Sequence, residues 1–280
     1  MRSRAAASYA GIASDTRGGS AATRFGRVFL RAMVVARDLG AFFLITLAVV
    51  LTKFNVASKV MHPMMRREMT RAGFKLLPMA AFMALGLGFL VIGQSVALLT
   101  QVGAQDLTGT IMVTVIIREL GPAVTALLML SKIGTATVIE LGTARALGEV
   151  EALEALGIDP VHYLVAPRVC GMALSTFALT VYSILLSLAG GYMFAFLQNV
   201  PITPGVYLSQ IGNALKWSDF ILLAMKTAVF GGIISMTCCY EGLARPLDLG
   251  DVSEATTRAV MRSVVLCVVF DGIFLLQTLI

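Results

Sequence analysis

Four ionisable side chains lie within stretches of sequence that are otherwise apolar. Arg118 and Glu119 are adjacent in one stretch, Lys226 lies in a second, and Asp271 lies in a third. A charge at the centre of a membrane helix costs about 2.5–3.5 kcal/mol on insertion scales, so such residues usually pair with one another or face water. We therefore expect Glu119 and Lys226 to be partners. The four side chains form either a structural ion cluster or the polar part of a solute pathway.

The sequence lacks the motifs of an enzyme that hydrolyses nucleotides or binds zinc. It contains no GxxxxGK[ST] loop and no HExxH, and His62 and His162 are isolated from other metal-ligating residues. The four cysteines lie in apolar stretches, where a thiol behaves as a small hydrophobic group. We therefore predict no catalytic residue, no metal site and no cofactor bound by this chain. Any energy for transport must come from a partner protein or from a gradient.

The composition indicates an integral membrane protein. Of 280 residues, 58% are hydrophobic and only 14% are charged, against roughly 45–50% and about 25% in soluble domains. These values exclude a soluble globular domain and a disordered chain. The net charge of +6 does not indicate nucleic-acid binding, because the basic residues are concentrated in the first 75 positions and in short loops.

Five apolar stretches are each long enough to cross about 30 Å of hydrocarbon. They cover residues 76–100, 107–130, 169–198, 220–240 and 259–280. The sequence therefore predicts an all-α integral membrane protein with five transmembrane helices. A shorter apolar stretch at 39–52, within a predicted elbow segment at 25–60, has basic residues on both sides. It is interpreted as an interfacial or re-entrant helix, with a full sixth span as the alternative.

The charges of the connecting segments predict the orientation, because Lys and Arg accumulate on the cytoplasmic side of short loops. The segments after the second and fourth spans carry five basic residues: Lys132, Arg145, Arg168, Arg245 and Arg258. The segments after the first and third spans carry only Lys216. The N-terminus is therefore predicted to be cytoplasmic and the C-terminus to be outside. Residues 1–24 are predicted to form a flexible basic tail, with an organellar transit peptide as the alternative.

The connection between the second and third spans contains a helical pattern. Residues 143–157 are strong helix formers in which apolar residues alternate with glutamates. Gly157 suits the end of this helix, and Asp159 and Pro160 suit the start of the next one. We expect one short transverse helix on the cytoplasmic face, either a solvated surface helix or a docking helix for a soluble subunit.

Five segments in consistent order carry a family resemblance. They are IRELGPAVTALL at 117–128, IELGTAR at 139–145, EALEALGIDP at 151–160, YLVAPR at 163–168 and EATTRAV at 254–260. Together they resemble the MlaE/YrbE permease family, over roughly residues 25–280. Each segment alone would be a weak signal, whereas the combination is specific.

The resemblance implies a permease subunit of an ABC-type lipid transporter that moves phospholipid between the inner membrane and a periplasmic MCE-domain protein or the outer membrane. It implies a homodimer bound to a cytoplasmic ATPase, which would hold the ATP and magnesium. The bacterial inner membrane is the expected location, and a plastid inner envelope is less favoured. The resemblance places the coupling to the ATPase at Arg145, Glu149, Glu151, Glu154, Leu156 and Gly157. It also agrees with a lipid pathway that includes Arg118, Glu119, Lys226 and Asp271.

One alternative from another class is a gradient-driven secondary transporter that uses Glu119, Lys226 and Asp271 as a proton relay. Five spans cannot form the two equal inverted repeats that are common in such carriers, and the sequence has no internal duplication. A membrane scaffold without transport is a third reading, but it would not explain a docking helix together with intramembrane charges.

Glycine and serine residues within the spans predict close helix approach, because small residues allow helix backbones to pack tightly in lipid. These residues are Gly86, Gly88, Gly93, Gly171, Ser175, Gly190, Gly191, Gly231 and Gly232.

Overall fold

The computed structural model describes residues 37, 40–46, 58–103, 108–197, 203–243 and 248–279. The chain divides into two units, Met1–Ile45 and Thr46–Ile280. In the first unit, residues 40–45 are helical. Most of the predicted elbow at 25–60 lies outside the described residues, as does the predicted tail at 1–24. All that follows concerns the second unit.

Five helices in the described part of the chain are long and apolar enough to cross a membrane. The spans run over Met65–Leu99, Gly109–Ala146, Val161–Leu197, Trp217–Leu243 and Val252–Leu276. No strand occurs among the described residues. The all-α membrane fold with five spans is therefore confirmed. Most of the helical spans extend beyond the predicted apolar stretches, because their ends contain polar turns that a search for apolar residues excludes.

The spans are built from α-helices joined by tighter or wider helical turns. The α-helices are α1 Ser58–Ala72, α2 Leu77–Leu87, α3 Gly93–Val102, α4 Thr108–Met112, α5 Gly121–Met129, α6 Thr135–Ala146, α7 Glu149–Ala155, α8 Ala166–Leu197, α9 Pro204–Ala214, α10 Trp217–Leu243 and α11 Val252–Leu279. The π-helical turns cover Gly88–Ile92, Val113–Leu120, Leu130–Gly134 and Val161–Val165. A π-helical turn widens the helix by one residue and frequently occurs at a functional site.

Two apolar clusters form the core of the bundle. One contains residues of all five spans, including Met129, Met172 and Phe230. The other contains residues of the first four spans and of α9, including Ile92 and Ile184. We call the end of the bundle that holds α7 the basic end, because it holds the connections that are rich in Lys and Arg. The first cluster lies toward the basic end and the second toward the opposite end.

Glycines bring the first and third spans into close contact. A Cβ atom at Gly88 would collide with the backbone carbonyl of Ser187, and one at Gly190 would lie 2.8 Å from the Leu85 carbonyl oxygen. The Ser187 hydroxyl donates a hydrogen bond to the Ala84 carbonyl at 2.8 Å. Close packing is thus confirmed at Gly88 and Gly190. At Gly86, by contrast, a Cβ would meet nothing within 4 Å.

The prediction of one transverse helix over 143–157 is wrong in its extent. Residues up to Ala146 continue α6, and the chain then turns at Gly148, whose φ of +77° is a left-handed conformation that glycine adopts without strain. Only Glu149–Ala155 forms the separate helix α7. Its predicted end is confirmed, since Gly157 has a φ of +76°. The Asp159 carboxylate caps the next helix by accepting a hydrogen bond from the Val161 amide at 3.0 Å.

Candidate functional site

The four intramembrane charges meet in one ion cluster between the second, fourth and fifth spans. Lys226 Nζ lies 2.8 Å from Glu119 Oε2 and 2.6 Å from Asp271 Oδ1. The predicted pairing of Glu119 with Lys226 is therefore confirmed, and Asp271 shares the same ammonium group. Lys226 is only 4% exposed, so these carboxylates compensate the cost of burying its charge.

Arg118 has a partner that the sequence analysis did not identify. Its guanidinium lies 2.9 Å from the carboxylate of Asp219, which is buried in the first turn of α10. The same carboxylate accepts a hydrogen bond from the Lys216 amide at 3.0 Å, so Asp219 also satisfies an amide at the start of the helix. An acidic residue in the first turn of a helix resembles an ordinary cap. The useful signal was that Arg118 needed an acidic partner.

A proline explains why Lys226 donates to the backbone as well as to carboxylates. Pro122 has no amide hydrogen, so it cannot donate to the carbonyl of Arg118 four residues earlier. Lys226 Nζ donates to that Arg118 carbonyl at 2.9 Å. Arg118 and Glu119 lie in the π-helical turn Val113–Leu120 just before this proline. The buried lysine therefore supplies a hydrogen bond to the backbone where the helix is irregular.

The ion cluster lies at the seam between the two apolar clusters. In the second span, Glu119 falls between Ile117 of one cluster and Ala126 of the other. In the fourth span, Lys226 falls between Leu223 and Phe230 in the same way. With Asp219 included, two cations face three carboxylates, so the cluster carries a formal charge of −1. The charged layer therefore divides the apolar interior into two halves.

An apolar cleft of about 150 Å³ adjoins the ion cluster toward the basic end. Side chains of the second, fourth and fifth spans line it, and Asp271 is its charged member. The other lining residues are Ala123, Ala126, Leu127, Leu130, Phe230, Ile234, Val264, Cys267 and Val268. A cleft of this kind fits an apolar chain whose polar end meets the ion cluster.

A second candidate region is the groove beside α7 at the basic end. The groove has a volume of about 520 Å³ and is lined by charged and apolar residues of α1, α6, α7 and the start of the third span. The carboxylate of Glu140 in α6 forms ion pairs with the guanidinium groups of Arg71 at 2.5 Å and Arg168 at 3.2 Å. The Arg168 guanidinium also pairs with the carboxylate of Glu68 at 3.5 Å. These ion pairs join the first three spans directly beneath α7.

The residues predicted for coupling surround α7. Arg145 pairs with Glu151 at 3.2 Å, and Glu149, Glu151 and Glu154 are exposed. Leu156 is 75% exposed, and Leu147 on the other side of α7 is 62% exposed. Of the predicted coupling residues, Glu149 and Leu156 line the groove, whereas Arg145 is half-buried. Sequence reasoning missed Glu140 and Glu68, whose ion-pair partners lie far away in the chain.

A third ion cluster joins the last two spans at the basic end. Glu241 is buried in α10 and pairs with both Arg258 and Arg262 of α11. Arg258 also pairs with Glu254 at 2.5 Å, one turn earlier in the same helix. The EATTRAV segment at 254–260 thus contributes to the joint between the fourth and fifth spans. Among the described residues, no group of His, Cys, Asp and Glu could hold a metal ion.

Comparison with known proteins identifies the family. The family model described as Permease MlaE matches residues 65–276. A probable ABC transporter permease protein of Rickettsia felis is 29% identical over 85% of this chain and 91% of its own length. A probable ABC transporter permease protein of Synechocystis is 33% identical over 62% of this chain and 65% of its own length. The protein TRIGALACTOSYLDIACYLGLYCEROL 1, chloroplastic, of Arabidopsis thaliana is 29% identical over 71% of this chain and 57% of its own length. The match to the family model covers the five spans, the ion cluster and α7, and the chain therefore belongs to the MlaE family of membrane permeases.

Proposed function

We propose that this chain is the permease subunit of an ABC-type transporter that moves phospholipid between the inner membrane and a periplasmic MCE-domain protein or the outer membrane. A separate cytoplasmic ATPase supplies the energy. Relatives described as probable ABC transporter permeases support the transporter class. The Arabidopsis relative, whose name contains a glycolipid, supports a lipid as the solute.

The observation that carries this proposal is the apolar cleft that ends at a buried ion cluster. A phospholipid combines acyl chains with a charged headgroup. The cleft has an apolar lining that fits acyl chains and a charged residue, Asp271, where it meets the ion cluster. Arg118 Nε is buried and has no hydrogen-bond partner among the described residues, so its N–H can donate a hydrogen bond to an oxygen of the solute. A small polar solute would instead require a cleft lined by hydrogen-bonding groups.

A second copy of the chain would complete the site. The cleft volume of about 150 Å³ is smaller than the 300–1,000 Å³ typical of sites that enclose a drug-sized ligand. The fifth span, which lines one side of the cleft, has much of its apolar surface exposed, including Val265, Val268 and Val269. A homodimer that covers this surface would enlarge the cleft into a shared cavity.

We assign coupling with the ATPase to α7 and its flanks. Leu147 and Leu156 offer exposed apolar contacts, and Glu149, Glu151 and Glu154 offer charges for basic partners on the ATPase. Movement of α7 would reach the spans through α6 and the ion pairs of Glu140. We place the protein in a bacterial inner membrane with its basic end in the cytoplasm, following the loop charges. The plastid envelope is the alternative location.

Purification from native membranes in mild detergent, with mass spectrometry of proteins and lipids, tests the assembly. We expect two copies of this chain with an ABC ATPase, an MCE-domain protein and phospholipid. Recovery of the chain alone in several gentle detergents would contradict the proposal.

Site-specific photo-crosslinking tests the lipid pathway in the same complex. A photoreactive residue at position 268 lies in the cleft, and one at position 90 is a matched control, because Val268 and Leu90 are 65% and 63% exposed. We expect ATP to change the yield of lipid crosslinks at 268 but not at 90. Equal changes at both positions would contradict a lipid pathway through the cleft. Transport that persists without ATP and stops when a proton gradient is dissipated would favour the gradient-driven alternative.

A further inference from the structure

The start of the first span presents basic side chains to the outside of the bundle. Arg66 of α1 is exposed, as is Lys75 in the turn that follows, whereas the neighbouring Arg67 lines the groove beside α7. Phe74, next to Lys75, is 71% exposed. We call Arg66, Phe74 and Lys75 the basic face. Arg66 and Lys75 form no ion pair with any residue that the structure describes.

The single acidic residue of α1 lies away from this face. Glu68 is partly buried and pairs with Arg168 of the third span. Arg71 likewise turns inward to Glu140 of the second span. One side of α1 is thus held by ion pairs to the bundle, while the basic face carries positive charge that no carboxylate of α1 compensates.

Farther along the first span, the exposed residues are mostly apolar. Phe82 is 81% exposed, and Leu90 and Leu98 are also exposed. Such a surface on a membrane-spanning helix faces lipid chains. The basic face directly precedes this lipid-facing surface, at the level where lipid headgroups lie.

We propose that the basic face binds the headgroups of anionic phospholipids in the leaflet at the basic end of the bundle. Arg and Lys near a membrane surface are attracted to anionic lipids, and their long side chains reach the headgroups while an adjacent aromatic ring enters the interface. The exposed Phe74 favours a membrane over an acidic protein surface, because the exposed side chains Phe82 and Leu90 farther along the same span are also apolar. This inference does not depend on which solute the permease carries.

Lipid binding at this face would act on a helix that is already tied to the bundle. The ion pairs of Glu68 and Arg71 connect α1 with the third and second spans beneath α7. Anionic lipid therefore holds the outer side of the same helix whose inner side borders the candidate coupling groove.

The test uses a tryptophan placed on the basic face. Trp217 is the single tryptophan of the chain and lies at the opposite end of the bundle, so the double variant F74W/W217F has one tryptophan next to Lys75. This variant is reconstituted in phosphatidylcholine vesicles that contain a minor fraction of brominated lipid, which quenches nearby tryptophan. We expect stronger quenching by brominated phosphatidylglycerol than by the same fraction of brominated phosphatidylcholine. Ionic strength of about 1 M, where the Debye length is about 3 Å, is expected to remove the difference.

Charge variants on this background identify the residues responsible. R66Q/K75Q is expected to lose the extra quenching by phosphatidylglycerol. The matched control K132Q/K216Q removes two exposed lysines elsewhere and is expected to keep it. If the probe at position 74 prevents folding, a tryptophan at the exposed Met79 gives the same measurement. Equal quenching by the two brominated lipids, or equal loss in both charge variants, would overturn the proposal, and an acidic protein would then be the better candidate for this face.

Discussion

Lys226 of the fourth span and Glu119 of the second span are 107 positions apart in the sequence, yet their charged atoms lie 2.8 Å apart in the interior of the bundle. Asp271 of the fifth span lies 2.6 Å from the same ammonium group. One lysine thus joins three spans at the seam between two apolar clusters. Lys226 is itself buried and has two carboxylate partners, so it should be costly to remove.

The first prediction concerns this lysine. Replacing Lys226 with methionine leaves Glu119 and Asp271 without their shared cation, and removal of one partner from a buried ion pair typically costs about 3–5 kcal/mol. We expect K226M to lower the unfolding temperature in detergent. A thiol-reactive dye can follow unfolding, because Cys238 and Cys239 are buried in the folded protein.

The exposed Lys216 provides the control for that measurement. K216M removes a charge of the same type outside the ion cluster and should leave the unfolding temperature almost unchanged. The exchange variant E119K/K226E should recover part of the stability lost in either single variant. An unchanged unfolding temperature in K226M would contradict the role assigned to the pair.

Asp219 makes two contacts that substitutions can separate. D219N keeps an oxygen that can accept the Lys216 amide but removes the charge that faces Arg118. D219L removes both contacts. We expect D219L to be less stable than D219N by about 1 kcal/mol, the usual contribution of a helix cap, measured with the same dye. Equal stability of the two variants would mean that the cap contributes little.

The sequence predicted those parts of the fold that depend on local patterns. Apolar length indicated five spans, and the cost of a buried charge indicated that Glu119 and Lys226 would meet. Loop chemistry placed the end of α7 at Gly157, where φ is +76°. The turn at Gly148 was missed because the helix-forming residues on both sides of it conceal the break.

Contacts between distant segments were not predictable in the same way. Asp219 lies in the first turn of its helix, where an acidic residue is an ordinary cap, and only the fold shows that it lies 2.9 Å from Arg118. Glu140 carries no local signal for its pairing with Arg71 and Arg168, because these partners come from two other spans. Such contacts depend on how the spans pack, and local sequence patterns do not reveal that packing.

Close packing between the first and third spans gives a further prediction. A methyl group at Gly88 would collide with the backbone of Ser187, so G88A must push the two helices apart. Overpacking of this kind typically costs about 1–3 kcal/mol. Gly86 is the matched control, because it lies in the same helical region with open space where a Cβ would be.

Thermal unfolding of the two glycine variants distinguishes packing from helix propensity. G86A should be neutral or stabilising, since alanine favours a helix over glycine by about 1 kcal/mol. G88A should be destabilised in spite of the same gain in propensity. Similar unfolding temperatures for the two variants would show that the backbones of the first and third spans are not in close contact at Gly88.

The last prediction tests the proposed contact with the ATPase. Leu156, next to α7, is 75% exposed, and Leu208 on α9 at the opposite end is 67% exposed, so the two leucines are matched in type and exposure. If Leu156 is buried by the ATPase, L156S loses about 2 kcal/mol of apolar contact, which corresponds to about 30-fold weaker binding. L208S should leave binding unchanged, because α9 lies far from α7.

Co-purification of the ATPase across a series of salt and detergent washes gives the comparison. The glutamates of α7 supply charge contacts that salt screens, whereas the contribution of Leu156 is apolar and should persist at high salt. Equal recovery of ATPase with both variants would exclude Leu156 from the interface and would remove the assignment of α7 as the coupling element.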